Sequence, residues 1–388
     1  MSALNDAHCH FFSTPFFAAL GRQLKGVEPP PVTRTITFAE GVTVKDLANK
    51  LDLRVKDVLA RLLMKRLVLT INSTLDAETA TTIAHEFGAE VRLRSLGENP
   101  TDVDVDVLPA ADERAPHETA LARLGWDAPG TAEALADRWV TELDRAGVAR
   151  AVMIASVPGD AGSVAAAVAR HPRRLVGFFM VDPTQPDAAT QTAAALDAGG
   201  VRGVCLFPAM HRFAIHDDRV RSLFDVAAAR PGTVMFVHCG VLTVGVRKKL
   251  GLPSPFDIRY GNPLDLHAIA AAYPAVPVII PHFGAGLFRE TLMVADLCAN
   301  VRLDTSSSNG WIKYHPGLTL GAVLQQALSV VGVDRLLFGS DSSFFPRGWV
   351  KEVFEQQSSA LDEIGATKEA REKIFGGNFE RLFPLDGM

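Results

Sequence analysis

The chain has 388 residues, is 48% hydrophobic and 21% charged, and carries a formal net charge of −5. That length accommodates one large domain plus an extra module, and the mild acidity supplies no basic field for nucleic acid or an anionic membrane. Four widely spaced cysteines (Cys9, Cys205, Cys239 and Cys298) form no CxxC pair, which suits a reducing compartment and excludes a disulfide scaffold.

No basic stretch followed by an apolar core opens the sequence, and no apolar run is long enough to span a bilayer, so a cytoplasmic location is expected. The first predicted strand is LNDAHCHFF, in which His8 and His10 flank Cys9. Residues two apart on a strand face the same side, so both imidazoles face one place and together suit a divalent ion. A short helix is predicted from Phe16 to Lys25, and Pro29, Pro30 and Pro31 then act as a stiff linker.

From residue 33 to 95 the composition changes to that of a small helical module. Thr43 is placed to cap VKDLANKL, which carries Leu47 and Leu51 four apart. VKDVLARLLMKR follows, ending in Lys65 and Arg66. A third helix starts near Asp76 and stops at Gly88. The text VKDLA, TIN, LDAETA and HEFG, in that order, resembles the N-terminal domain of bacterial translation initiation factor 2. The resemblance implies a small helical fold and does not by itself imply ribosome binding. Residues 33–94 carry ten Lys/Arg against eight Asp/Glu, a nearly balanced surface. Residues 96–118 read as an acidic tether containing DVDVD.

The helical stretch AEALADRWVTELDRAG ends at Gly147, and beyond it short apolar strands alternate with helical stretches. The strands are ARAVMIASV, RLVGFFMVDP, VRGVCLFPA, TVMFVHCG, PVIIPHFG, NVRLDTSSS and RLLFGSD. They are near-continuous apolar runs, as in parallel strands covered on both faces. With the first strand they make eight, which predicts an α/β fold, a (β/α)8 TIM barrel, with the helical domain inserted after its first strand. The barrel would comprise residues 1–28 and 119–388.

Four of these strands end in a candidate ligand: His8 and His10, then His238 in VHCG, His282 in PHFG and Asp341 in GSD. Active sites of such barrels lie at the C-terminal strand ends, so these side chains are expected to converge. Imidazoles with a carboxylate can hold a catalytic divalent ion while leaving a position open for water, whose pKa then falls to about 7.

The motifs DAHCH, VHCG, PHFG and GSD resemble those of the amidohydrolase superfamily, in its amidohydrolase-2 branch, which includes aminocarboxymuconate-semialdehyde decarboxylase. The resemblance implies that His8, His10, His238 and Asp341 are metal ligands. It also implies that His282 polarises the substrate or positions the attacking water, and that Asp341 doubles as general base. Binuclear members carry a carboxylated lysine on strand four, where this chain has Cys205. One divalent metal is therefore expected, Zn2+ first, with Mn2+ and Fe2+ also compatible with such a site. His211 and His216, and Arg212, Arg259, Arg289, Asn309 and Trp311, stand in loops after strands four to seven. Arginine grips carboxylates with a bidentate fork, so an acidic substrate is expected.

The expected function is a metal-dependent hydrolase, with water attacking a C–O or C–N bond of a small carboxylated molecule. The alternatives are a non-oxidative decarboxylase, a carbon–carbon lyase using the same ligands, and a non-enzymatic scaffold that binds RNA or a ribosomal partner through the insert. The acidic balance weighs against nucleic acid, and a homo-oligomer is compatible with the chain.

Overall fold

The computed structural model describes residues 3–24, 34–39, 42–51, 53–64, 67, 69–87, 89–94, 115–306 and 308–385. The strands, in chain order, are β1 (Leu4–Phe11), β2 (Arg34–Ala39), β3 (Ala89–Arg94), β4 (Val148–Ala155), β5 (Leu175–Val181), β6 (Gly203–Leu206), β7 (Val234–Val237), β8 (Val278–Ile280), β9 (Val301–Asp304) and β10 (Leu336–Leu337). Eight of them form one parallel sheet in the order β1-β4-β5-β6-β7-β8-β9-β10. The sheet curls until its ends meet. The Ala7 N–H donates to the Phe338 carbonyl (2.8 Å), the Asp341 N–H to the His8 carbonyl (2.9 Å) and the His10 N–H to the Ser342 carbonyl (2.7 Å). This is the predicted TIM barrel, and its seam registers Asp341 against His8 by main-chain bonds.

The apolar strand runs are buried on both sides, as their composition requires. One layer lies inside the ring, where Ala7, Ile154, Phe178, Cys205 and Phe236 meet. Phe379 and Phe383 close it from the C-terminal segment, where the Phe383 carbonyl accepts from Arg150 near the start of β4. The larger layer lies between strands and outer helices, around Trp139, Phe213, Phe224 and Phe283. The Ala132–Ala146 helix shows how locally consistent the chain is. Thr131 accepts from the Ala134 N–H at its start, and Gly147 adopts the left-handed conformation at its end.

Between β1 and β4 the insert has its own apolar cluster, centred on Val44, Leu47, Leu51, Val58, Leu62 and Ile83. Thr43 caps the Val44–Lys50 helix as predicted, and Asp76 accepts from the Thr79 N–H at the start of the Ala77–Glu86 helix. The sequence reading missed one feature: the module is bracketed by β2 and β3, which pair in parallel from Arg34↔Ala89 to Ala39↔Arg94. RTITFA and AEVRLR alternate as strands do, but each is short and adjoins a strong helical pattern that masks it. The proline linker, Lys65, Arg66, Gly88 and most of the acidic stretch lie outside the described residues.

The chain leaves the barrel through the Thr14–Gln23 helix and returns through the Pro116–Leu124 helix, so the last three residues of the expected tether are helical. The two helices pack through Phe16, Phe17, Leu20, Ala120, Leu121 and Leu124. A Cβ on Gly21 would lie 1.6 Å from the Pro116 carbonyl oxygen, so only glycine permits this approach. We propose that the insert is an independent unit beyond this helical stem. Replacing residues 30–112 with a short Gly/Ser linker is then expected to leave a folded barrel that still binds metal, checked by circular dichroism and metal analysis. Lengthening or shortening a loop changes its closure cost by only about 0.6 kcal/mol per doubling. A deletion protein that cannot fold would make the module part of the barrel core. Among the described residues, no helix is long and apolar enough to cross a membrane.

Candidate metal centre

The predicted residues gather at the C-terminal ends of the barrel strands. His8 and His10 project from β1, His238 follows β7, His282 follows β8 and Asp341 follows β10. Three of them converge closely. His8 Nε2 lies 3.2 Å from His10 Nε2 and 3.7 Å from Asp341 Oδ1, and His10 Nε2 lies 3.2 Å from the same carboxylate oxygen. These three ligand atoms all lie within 4.8 Å of one another; the His238 ring nitrogens stand outside that group. His282 bridges the gap, with its ring centroid 5.0 Å from that of His8 and 5.3 Å from that of His238.

Neighbouring groups fix how each imidazole presents itself. His8 Nδ1 is 2.6 Å from Asp304 Oδ2, and a carboxylate only accepts, so Nδ1 carries the proton and Nε2 keeps its lone pair. Ser156 Oγ donates to the Ile154 carbonyl and therefore accepts from His10 Nδ1 at 2.6 Å. His282 Nδ1 donates to the Ser306 carbonyl at 2.9 Å. His238 Nδ1 is buried without a hydrogen-bond partner. Such a donor set, imidazole lone pairs beside a carboxylate, fits one divalent ion.

Electrostatics favour the neutral form for three of the four imidazoles. Burial pulls the His238 pKa well down, helped by the neighbouring imidazoles, and burial likewise lowers His10 and His282. His8 is the exception. Burial acts downward, but Asp304, with Asp341 and Asp6, outweighs it and raises the pKa. For Asp341, burial acts upward, yet the adjoining His10 and the surrounding imidazoles hold the carboxyl well below its usual range.

The backbone is also unusual here. Asp341 (φ 57°) and His282 (φ 56°), with Phe283 and Ala285 beside it, occupy the left-handed region, which costs a non-glycine residue roughly 1–2 kcal/mol. The strain aims the two side chains inward. Gly339 makes room for the site. A Cβ there would lie 2.5 Å from Asp304 Oδ1, 2.8 Å from His8 Cβ and 2.9 Å from Ser306 Cβ.

Three supporting residues escaped the sequence reading. Asp304, fully buried at the end of β9, holds His8 and accepts from the Ser306 N–H (2.7 Å). Asp6, also fully buried, accepts from the His8 and Ser340 N–H groups and from Trp349 Nε1. Ser156 orients His10. An acidic residue at the last position of an apolar strand was the available signal for Asp304. Cys205 is buried inside the barrel with no lysine on its strand, and all four cysteines are free.

The centre opens into a cavity of about 890 Å3, lined by His8, His10, His238, His282 and Asp341, and by His211 and Trp311. Arg212, Arg259 and Arg289 are not among the residues that line it. Arg212 donates to the Pro255 carbonyl, and Arg259 and Arg289 pair locally with Asp257 and Glu290. His216 is likewise absent from the lining.

The family model described as Amidohydrolase matches residues 6–385. Translation initiation factor IF-2 of Koribacter versatilis is 53% identical over 62 residues, 16% of this chain and 6% of that protein. The factor of Acidobacterium capsulatum is 41% identical over 96 residues, 25% of this chain and 9% of its own length. The chain thus spans less than a tenth of the length of these curated relatives. A solved uncharacterized TIM-barrel protein from Bordetella bronchiseptica shares the fold, with a TM-score of 0.50 and 22% identity over 68% of this chain and 88% of that one. A barrel carrying histidines and an aspartate at its strand ends, matched from the first strand to the last helix, establishes that the chain belongs to the amidohydrolase family.

Proposed function

We propose that the protein is a metal-dependent hydrolase acting on a C–O or C–N bond of a small carboxylated molecule. The observation that carries this reading is the convergence of His8 Nε2, His10 Nε2 and the Asp341 carboxylate on a cavity whose other charged side chains, among the described residues, are cationic. His8, His10, His238 and Asp341 would hold one divalent ion, Zn2+ or failing that Mn2+ or Fe2+. When bound, the ion would supply Lewis acidity and a water acidic enough to act as nucleophile near neutral pH.

The chain's own residues supply the remaining steps. Asp341 accepts the proton released by the attacking water and returns it to the leaving group. The His282 Nδ1–H donates a hydrogen bond to the Ser306 carbonyl, so the neutral ring offers only an Nε2 lone pair to the cavity. That suits orienting a water, by accepting one of its hydrogens, and does not suit donating to a substrate carbonyl. His282→Ala is therefore expected to lower turnover about 10²-fold or more while leaving metal content near the wild-type level. Metal loss equal to that of His8→Ala would instead make His282 a ligand.

The test of the reaction is metal analysis of the purified protein followed by a screen of lactones, amides and unsaturated or aromatic acids in H2(18O). Hydrolysis puts one labelled oxygen into the new carboxylate. Carbon dioxide release without label in the organic product would overturn hydrolysis in favour of decarboxylation.

A further inference from the structure

The cavity is a basic pocket in an acidic protein. Among its described lining residues, Arg247, Lys249, Lys313 and Arg347 stand against one carboxylate, that of Asp341, although the whole chain carries −5. Two of these cations share a platform. The Trp126 and Phe344 rings stack in parallel, with centroids 3.7 Å apart and planes 5° apart. Lys249 Nζ sits 5.2 Å from the Trp126 centroid and 5.4 Å from that of Phe344. The Arg347 guanidinium lies 4.6 Å from the Phe344 centroid. Cation–aromatic contacts of this kind fix the position of a charge.

Arg347 is incompletely used by the protein. Its Nη2 donates to the Ser343 hydroxyl (2.8 Å) and the Asp341 carbonyl (3.3 Å), and its Nε is buried with no hydrogen-bond partner. A buried guanidinium N–H without an acceptor is costly unless a ligand supplies one. Arg247, by contrast, is engaged by the Pro253 carbonyl and Gln23 Oε1.

We propose that Arg347 and Lys249, held on the Trp126–Phe344 stack, form a subsite for a second oxyanion of the substrate, distinct from the group that reacts beside His8 and His10. This rests on the hydrolase reading and narrows its substrate to molecules bearing a non-reacting carboxylate or phosphoryl group. The guanidinium fork gives that group its orientation, and the more exposed Lys249 attracts it at the cavity mouth. Both residues are specificity determinants; neither takes part in bond cleavage.

The test is calorimetric titration of the full-length, zinc-loaded protein with benzoate, isophthalate and 3-phosphonobenzoate. The wild type is expected to bind at least one of the dianions 10-fold or more tighter than benzoate. A preference for isophthalate assigns a carboxylate subsite, and a preference for 3-phosphonobenzoate a phosphoryl one. Arg347→Met and Lys249→Met should each erase most of that preference, leave benzoate affinity within about twofold and keep zinc content unchanged. Lys249 is exposed, so its variant decides the matter if Arg347→Met fails to fold. Equal binding of all three probes by the wild type, or a preference intact in the variants, overturns the subsite. Failure to bind zinc would instead count against the hydrolase reading, and repeating the titrations without metal would still measure the preference.

Discussion

Asp341→Ala should lower turnover by about 10²–10⁴-fold, the usual worth of a positioned general base, and His8→Ala should strip the protein of its metal as well. The two expectations differ because the two side chains are held differently. His8 is almost wholly buried, with Nδ1 fixed by Asp304, so removing its ring deletes a proposed ligand and leaves the buried Asp304 Oδ2 without its imidazole partner. Leaving such a charge unpaired costs several kcal/mol, and the vacated centre would lose its remaining order. Asp341 is partly exposed and bonded through its N–H to the His8 carbonyl, a main-chain contact that alanine preserves. Its variant should therefore fold, keep part of its metal and fail in proton transfer. Metal analysis after dialysis, with turnover on whichever substrate the screen yields, checks both. Full metal content in His8→Ala would remove His8 from the ligand set and with it the proposed centre.

Much of this was legible because parallel barrel strands are written plainly. VRGVCLFPA, TVMFVHCG and PVIIPHFG are continuous apolar runs, and each is a barrel strand in the expected order. Their ends carried the candidate ligands, because a polar residue closing an apolar run has few other reasons to be there. The relation of His238 to the other three was not legible. It depends on side-chain directions around the ring, and the structure leaves the His238 nitrogens outside the tight group. Cations were harder still. Arg259 and Arg289 looked available in sequence but are satisfied by adjacent acids, whereas Lys249 rests on Trp126 and Phe344 from distant segments, and Arg347 packs on Phe344 of its own loop, a ring that the distant Trp126 stacks against. The β2–β3 pair was hidden by scale: two six-residue strands separated by three helices leave no local sign that they meet.

Gly339→Ala tests the packing behind the metal centre and should be nearly as damaging as loss of a ligand. Gly339 lies just ahead of Ser340 and Asp341, where the chain after β10 passes behind the site. An added Cβ would meet Asp304 Oδ1 at 2.5 Å, His8 Cβ at 2.8 Å and Ser306 Cβ at 2.9 Å, all closer than real Cβ contacts allow. None of these neighbours can swing away cheaply. Asp304 Oδ1 accepts from the Ser306 N–H, its Oδ2 holds His8 Nδ1, and the next turn is pinned where the Ser340 N–H donates to Asp6. Relief requires either the β10 loop to retreat, carrying Asp341 away from His10, or Asp304 to release His8. Overpacking of this kind costs roughly 1–3 kcal/mol in stability, and loss of a residue that orients a ligand lowers metal affinity about 10–100-fold. Asp304→Asn separates the two contributions. It keeps the volume but replaces a charged acceptor with a neutral amide, so it should weaken metal binding within the same range while shifting thermal stability less than Gly339→Ala does. Competition with a chelator gives the affinities, and thermal unfolding of the metal-free proteins gives the packing cost. Wild-type metal affinity in both variants would mean that neither the Asp304–His8 bond nor the space at Gly339 shapes the centre.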